Sequence, residues 1–124
     1  MNAYQRQQAL KGRVKEYRRR LSAAFRNLRK QGYVAKQNYW CCNGCGCSAL
    51  AQEYGNGCEQ WLFYNKQMGD LLRKGEQIRL TWGGNGWQIA YALRDQGLEV
   101  DWNGEDSQTI GVNLPEAQEA TQAA

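Results

Sequence analysis

The sequence of 124 residues contains no histidine and a single proline, Pro115. Because no serine or cysteine can be paired with an imidazole base, the common nucleophilic hydrolases are excluded. Long apolar runs are also missing: no stretch approaches the roughly twenty residues of a membrane helix, and the N-terminus lacks the apolar segment of a signal peptide. We therefore expect a cytoplasmic binding protein rather than an enzyme.

The number of cysteines is odd: five are present, and four of them crowd into residues 41–47. Such a set is a poor disulfide framework, and thiols in a reducing compartment stay reduced. We therefore expect no intramolecular disulfide.

Acidic residues are scarce at the start of the chain. Residues 1–36 contain eleven Lys or Arg and one acid, Glu16, for a charge of +10. Residues 37–124 contain five basic and eleven acidic residues, for −6, which together give the net +4. This asymmetry indicates either an acidic partner for the basic segment or a solvated face.

The basic segment carries an apolar stripe with alternating steps of four and three residues: Leu10, Val14, Tyr17, Leu21, Ala24 and Leu28, with Phe25 beside it. This spacing predicts a helix over residues 4–31 that is ended by Gly32. From Tyr17 onward the stripe is expected to pack on a sheet of the same domain. Leu10 and Val14 have no evident internal partner, so residues 1–16 are predicted to be mobile and to bind a partner.

Strand and helix patterns alternate along the rest of the chain. Strands are predicted at residues 33–40, 60–65, 77–82, 98–102 and 108–114, and helices at 48–54, 67–74 and 87–96. Alternation favours parallel neighbours, whereas Asn103-Gly104 indicates a final hairpin. The predicted fold is α+β, a mixed sheet of about five strands with alternating helices, a C-terminal hairpin and a long basic N-terminal helix.

The expected organisation has three parts. Residues 1–20 are a basic helical extension, residues 21–114 form the α+β domain, and residues 115–124 are a disordered tail, since their composition is small and polar.

Five segments of residues 21–114 carry a family resemblance: LSAAFRNLRKQGY, CCNGCG, FYNKQ, LTWGGNG and GLEVDWNG. In this order and spacing they resemble an uncharacterised family of small bacterial domains of unknown function, of which the Cys-Cys-x-x-Cys-Gly core is the most specific feature. The resemblance implies a shared fold and no activity. Cys47, Cys58 and the basic segment before residue 21 look like departures from the family pattern.

The cysteine cluster allows a metal hypothesis. Cys42 and Cys45 form a C-x-x-C pair, which is half of many zinc sites. The predicted cofactor is either none or one structural zinc, with the candidate ligands Cys42, Cys45, Cys47 and Cys58. Alternatives are a carboxylate, a set shared across a dimer, or Cys41, although ligands adjacent in sequence strain a tetrahedral site.

Two other interpretations of the cluster remain open. A C-x-x-C pair after Trp40 resembles a thiol-redox site, but Pro115 cannot supply the facing cis-proline turn because it lies in the predicted tail. The cysteines are otherwise small apolar residues that pack a tight turn.

A glycine-rich turn follows the third predicted strand and precedes a helix. The backbone amides of Gly83, Gly84 and Gly86 would suit an anion or nucleotide phosphate. Asp101 lies near the end of the next strand, as in dinucleotide-binding folds. The third glycine of that fingerprint is missing and no Walker lysine is present, so a plain structural turn is the alternative.

The basic helix provides the candidate partner-binding residues: Lys11, Lys15, Arg18, Arg19, Arg20, Arg26, Arg29 and Lys30. Arginine suits phosphates and carboxylates alike. We expect a non-catalytic interaction or inhibitor module, monomeric or homodimeric, that docks an acidic protein surface. By analogy of size and charge, a phage or mobile-element inhibitor of a nucleic-acid-handling complex would fit. The alternatives are a non-specific nucleic-acid-binding protein and a small thiol-redox or zinc protein.

Overall fold

The computed structural model describes residues 2–55 and 59–115. Within these ranges the helices are α1 (Ala3–Lys30), α2 (Asn43–Tyr54), α3 (Lys66–Arg73) and α4 (Gly86–Asp95). The strands are β1 (Val34–Lys36), β2 (Trp61–Phe63), β3 (Ile78–Gly83), β4 (Glu99–Asp101) and β5 (Ile110–Asn113). The predicted α+β fold, with its mixed sheet and long N-terminal helix, is confirmed. The predicted disordered tail lies outside the described residues, apart from Pro115.

The five strands form one sheet in the order β1-β2-β3-β5-β4. Only β1 and β2 are parallel; β2 and β3, β3 and β5, and β4 and β5 are antiparallel. The prediction of parallel neighbours is therefore wrong for β2 and β3. Helix α3 between them has eight residues, about 12 Å of length, and Gly75 turns the chain with a φ of +75°. Such a short link lets β3 run back along β2.

The apolar stripe of helix α1 packs in the same core as the sheet. Tyr17, Leu21, Ala24, Phe25 and Leu28 are fully buried, together with sheet residues such as Leu62, Leu80 and Ile110. Val14 is also buried, against expectation, whereas the side chain of Leu10 remains 40% exposed. Only the first part of the stripe is therefore left without cover.

Four side chains of α1 bond to backbone carbonyls elsewhere in the fold. The Tyr17 hydroxyl donates to the Val112 carbonyl at 2.6 Å. Arg13 donates to the carbonyls of Leu114 and Pro115 at 2.7 and 2.9 Å. Arg29 donates twice to the Ala35 carbonyl, and Arg20 donates to the Gly97 carbonyl. These bonds tie α1 to β1, to β5 and to the turn after α4.

Helix α2 begins within the cysteine cluster, five residues before the predicted start at residue 48. Because Gly44 and Gly46 have low helix propensity, the sequence pattern did not predict this start. Gly46 is required by packing, since a Cβ there would lie 2.6 Å from the Phe63 ring. Before α2, Asn38 and Trp40 adopt left-handed backbone conformations, with φ of 51° and 61°.

Helix α4 starts from a side-chain cap. The Asn85 Oδ1 accepts hydrogen bonds from the backbone amides of Trp87 and Gln88 at 3.1 and 3.3 Å. The Asn85 amide in turn donates to the Tyr33 hydroxyl at 3.0 Å. This residue therefore fixes both the start of α4 and its contact with the chain that precedes β1.

We expect Tyr17→Phe to lower the free energy of unfolding by about 1–2 kcal/mol, because the Val112 carbonyl loses its buried donor. Denaturant unfolding followed by tryptophan fluorescence measures the change. Tyr4→Phe is the control, since Tyr4 is 69% exposed, and should stay within about 0.5 kcal/mol of wild type. Equal stability of the two variants would contradict the role given to Tyr17.

We expect Asn85→Ala to destabilise the protein by about 1 kcal/mol, which is typical of a lost N-cap. Asn85→Asp keeps the accepting oxygen and should retain wild-type stability. Thermal unfolding of both variants measures the effect, and an equal loss in the two would show that the cap bond is not the cause.

Candidate partner-binding groove and cysteine cluster

An open groove of about 850 Å³ lies between the N-terminal half of α1 and the end of α3. Leu10 and Val14 supply its apolar side chains. The other lining residues are polar or basic: Gln7, Lys11, Lys15, Arg18 and Arg73. The uncovered part of the stripe thus lies beside cations, and no acidic side chain among residues 2–55 and 59–115 lines the groove.

Three of these cations are available to a partner. Lys11, Lys15 and Arg18 are exposed, and no ion pair joins them to an acid in residues 2–55 and 59–115. Arg73 is different, because it pairs with Asp70 one turn earlier on α3. From here on, the name basic groove refers to Leu10, Val14, Lys11, Lys15 and Arg18.

Other arginines that were predicted to bind a partner form hydrogen bonds within the fold instead. Arg19 and Arg20 both bond to the Glu16 carboxylate, and they lower the pKa of Glu16 to about 2. Arg29 is held by the Ala35 carbonyl, at 2.7 Å from Nη2. Arg19, Arg20 and Arg29 are therefore less available than their sequence positions suggest.

Arg26 and Lys30 are exposed but lie away from the basic groove. Arg26 follows Arg18 by eight residues, which is about 12 Å along a helix axis. The structure thus divides the eight predicted residues: Lys11, Lys15 and Arg18 line the groove, and the other five do not.

Sequence reasoning did not predict two of the residues that line the open groove, Gln7 and Arg73. The spacing of Lys11, Lys15 and Arg18, at i, i+4 and i+7, places them on one helix face, and this signal was present in the sequence. The contribution of Arg73 depends on how α3 packs against α1, which no local pattern reveals.

The cysteine cluster gathers three sulfur atoms. The Sγ atoms of Cys41, Cys42 and Cys45 all lie within 4.8 Å of one another, and Cys41 and Cys45 are 3.6 Å apart. Cys42 is the N-cap of α2 and Cys45 lies in its first turn. Cys41, which the sequence made the less favoured ligand, is thus part of the group.

The thiols of the cluster influence one another's protonation. The backbone amide of Cys45, at the start of α2, lowers the pKa of the Cys42 thiol. The neighbouring thiols of Cys41 and Cys42 raise the pKa of Cys45 to about 11. Removing protons from all three thiols would place three negative charges within contact distance, so a cation between them would be strongly attracted.

The other candidate ligands are placed differently. Cys47 is exposed and does not belong to the group of three sulfurs. Cys58 lies outside the described residues. Among the described residues, no carboxylate shares the group with Cys41, Cys42 and Cys45.

The glycine-rich turn is engaged by the chain itself. A Cβ at Gly86 would lie 2.4 Å from the Trp102 ring, and one at Gly83 would lie 2.4 Å from Trp61. Gly84 has a φ of +112° and lies close to the Tyr33 hydroxyl. The amides of Trp87 and Gln88 already bond to Asn85. These contacts account for the three glycines by packing and turn geometry, and anion binding there stays a prediction.

Comparisons with known proteins give a family and no function. In the described parts of the chain, no helix combines the length and apolarity needed to span a bilayer. No curated protein and no solved structure matches the sequence. A family model does match residues 2–118, a range that includes the basic groove, the cysteine cluster and all five strands. The chain therefore belongs to the family described as domain of unknown function DUF6891.

Proposed function

We propose that this protein is a non-catalytic interaction module that docks an acidic, amphipathic segment of a partner protein in the basic groove. The observation that carries the proposal is the combination of an uncovered apolar side chain, Leu10, with three cations that have no ion pair in the described chain. A helix with an apolar face between acidic residues is the partner chemistry that complements both features.

The apolar part of the groove contributes affinity. Leu10 is 40% exposed, so a partner would remove further apolar area from water at about 25 cal/mol per Å². The cations contribute orientation and rate of encounter more than affinity, since exposed ion pairs are worth only about 0.2–1 kcal/mol each. The two features together favour a specific, salt-sensitive contact.

The lining of the groove favours protein over nucleic acid. Bases bind single-strand sites by stacking on aromatic rings, and none of the seven lining residues that the structure describes is aromatic. A duplex would need only cations, so it would gain nothing from Leu10 and Val14. Dependence on the apolar residues therefore distinguishes the two kinds of partner.

The test uses a fluorescein-labelled amphipathic peptide with leucines on one face and glutamates on its flanks, and a labelled DNA duplex as the competing probe. Fluorescence anisotropy at physiological salt measures both affinities. We expect Lys11→Glu/Lys15→Glu/Arg18→Glu to weaken peptide binding by at least about 10-fold, the effect of a few lost ion pairs replaced by repulsion. Circular dichroism verifies that the variant is folded.

The matched control makes the same charge change outside the groove: Arg26→Glu/Lys30→Glu/Lys66→Glu. It should weaken peptide binding by less than about 3-fold, because charges beyond a Debye length of about 8 Å are screened. An equal loss in both triple variants would mean that net charge alone drives binding and would contradict the proposal.

A second variant tests the apolar contribution. Leu10→Ala should weaken the peptide complex by about 3- to 10-fold, in line with about 1 kcal/mol of lost apolar burial, and leave duplex binding unchanged. Unaltered peptide affinity, or tighter binding of the duplex than of the peptide by the wild type, would instead favour the nucleic-acid alternative.

A further inference from the structure

The three clustered thiols lie at the junction of the β1–α2 loop and helix α2, in a part of the molecule that the basic groove does not include. We propose that Cys41, Cys42 and Cys45 bind one Zn²⁺ ion as a three-thiolate site whose fourth coordination position is open to solvent.

The sulfur positions are close to those that zinc needs. A tetrahedral ion with Zn–S bonds of about 2.3 Å holds its sulfurs about 3.8 Å apart. Cys41 and Cys45 are already 3.6 Å apart, and all three sulfurs lie within 4.8 Å of one another. The largest separation exceeds the zinc value by at most about 1 Å, and rotation about χ1 moves a sulfur by more than this.

The backbone that presents the thiols is held just before Cys41 by two hydrogen bonds, and at Cys42 by the Gly46 amide, which donates to its carbonyl at 3.0 Å. The Tyr39 amide donates to the Tyr64 carbonyl at 2.8 Å, and the Lys66 amide donates to the Trp40 carbonyl at 2.9 Å. After the loop, Cys42 and Cys45 are separated by one helical turn, which places their side chains on the same side of α2. The loop is therefore ordered against β2 and α3 before any ion arrives.

The start of α2 favours a thiolate at Cys42, which is the N-cap residue of that helix. Backbone amides in the first turn of a helix stabilise negative charge. Binding replaces the three S–H protons by one Zn²⁺ ion and releases them to solvent, which leaves a site of net charge −1. The ion removes the repulsion that three adjacent thiolates would otherwise suffer.

Among the described residues, no further side chain joins the three sulfurs as a fourth ligand. Cys47 follows Cys45 by two residues on α2, a rotation of about 200° around the helix axis, and it is not part of the group. Cys41 and Cys45 are exposed, and Cys45 borders a shallow groove of about 290 Å³ with Trp40, Ser48 and Gln52. Water, or a small thiol or carboxylate that reaches this groove, is the fourth ligand.

The experiment titrates the reduced, metal-free protein with Zn²⁺ in competition with a chromophoric chelator, and repeats the titration with Co²⁺ to record its visible and charge-transfer bands. We expect one ion per chain and a spectrum of tetrahedral cobalt with thiolate ligands. Cys41→Ser, Cys42→Ser and Cys45→Ser should each weaken zinc binding by more than about 100-fold, beyond the 10- to 100-fold typical of outer-shell changes.

Cys47→Ser and Cys58→Ser are the matched controls, and each should bind zinc within about 3-fold of wild type, since outer-shell losses begin near 10-fold. Loss of zinc in Cys58→Ser would show a closed four-cysteine site and overturn the open position. Full affinity in Cys41→Ser would overturn the three-thiolate set, and no zinc uptake by the reduced wild type would overturn the proposal altogether. An added monothiol should strengthen the charge-transfer band of the cobalt form, and an unchanged band would likewise contradict an exchangeable fourth ligand.

Discussion

The packing of α1 against the sheet is the interaction on which the rest of the structure depends. Its stripe from Val14 to Leu28 is buried, and the Tyr17 hydroxyl bonds to the carbonyl of Val112 inside that contact. Most helical stability in proteins comes from an amphipathic face that is covered, and α1, with 28 residues, obtains this cover from the packing. The sheet shares this core, to which its longest strands, β3 and β5, contribute Ile78, Leu80, Ile110 and Val112.

This packing also decides which basic side chains are available for a partner. The arginines that reach over the sheet or its turns, Arg13, Arg20 and Arg29, donate to backbone carbonyls. Beyond the edge of the buried stripe, Lys11, Lys15 and Arg18 meet no acid in the described chain and face the groove. The basic segment therefore combines two roles that its composition does not separate: part of it stabilises the fold, and part of it forms a surface.

Local patterns were sufficient for the elements and insufficient for their arrangement. The steps of four and three predicted α1, and Gly32, Gly75 and Gly97 marked helix ends that the structure confirms with positive φ. The predicted direction of β3 relative to β2 was wrong, because a short connecting helix is compatible with either parallel or antiparallel neighbours. The start of α2 was missed since Gly44 and Gly46 obscure it, although Gly46 is there to admit the Phe63 ring.

The candidate sites show the same limit. The sequence identified the cysteines that lie near each other, and C-x-x-C drew attention to Cys42 and Cys45. Cys41 belongs to the group of three sulfurs and Cys47 does not, because α2 begins at Asn43. The position of this helix start could not be predicted from the sequence. Likewise, the sequence identified the basic residues of α1 but predicted that Arg29 binds a partner. Its hydrogen bond to the Ala35 carbonyl could not be predicted, because that bond depends on how the chain returns after Gly32.

The bond between Arg29 and the Ala35 carbonyl protects the edge of the sheet formed by β1. The Val34 amide donates to Gln60 and the Lys36 carbonyl accepts from Tyr64, so the Ala35 amide and carbonyl, one residue out of phase, point away from β2. An open edge of this kind is a template on which a strand of another chain can add. The guanidinium of Arg29 occupies the outward carbonyl with two hydrogen bonds and places a positive charge where an incoming strand would lie. The opposite edge strand, β4, carries Glu99 and Asp101. Both edges of the sheet therefore carry charged side chains, which disfavour edge-to-edge association of chains.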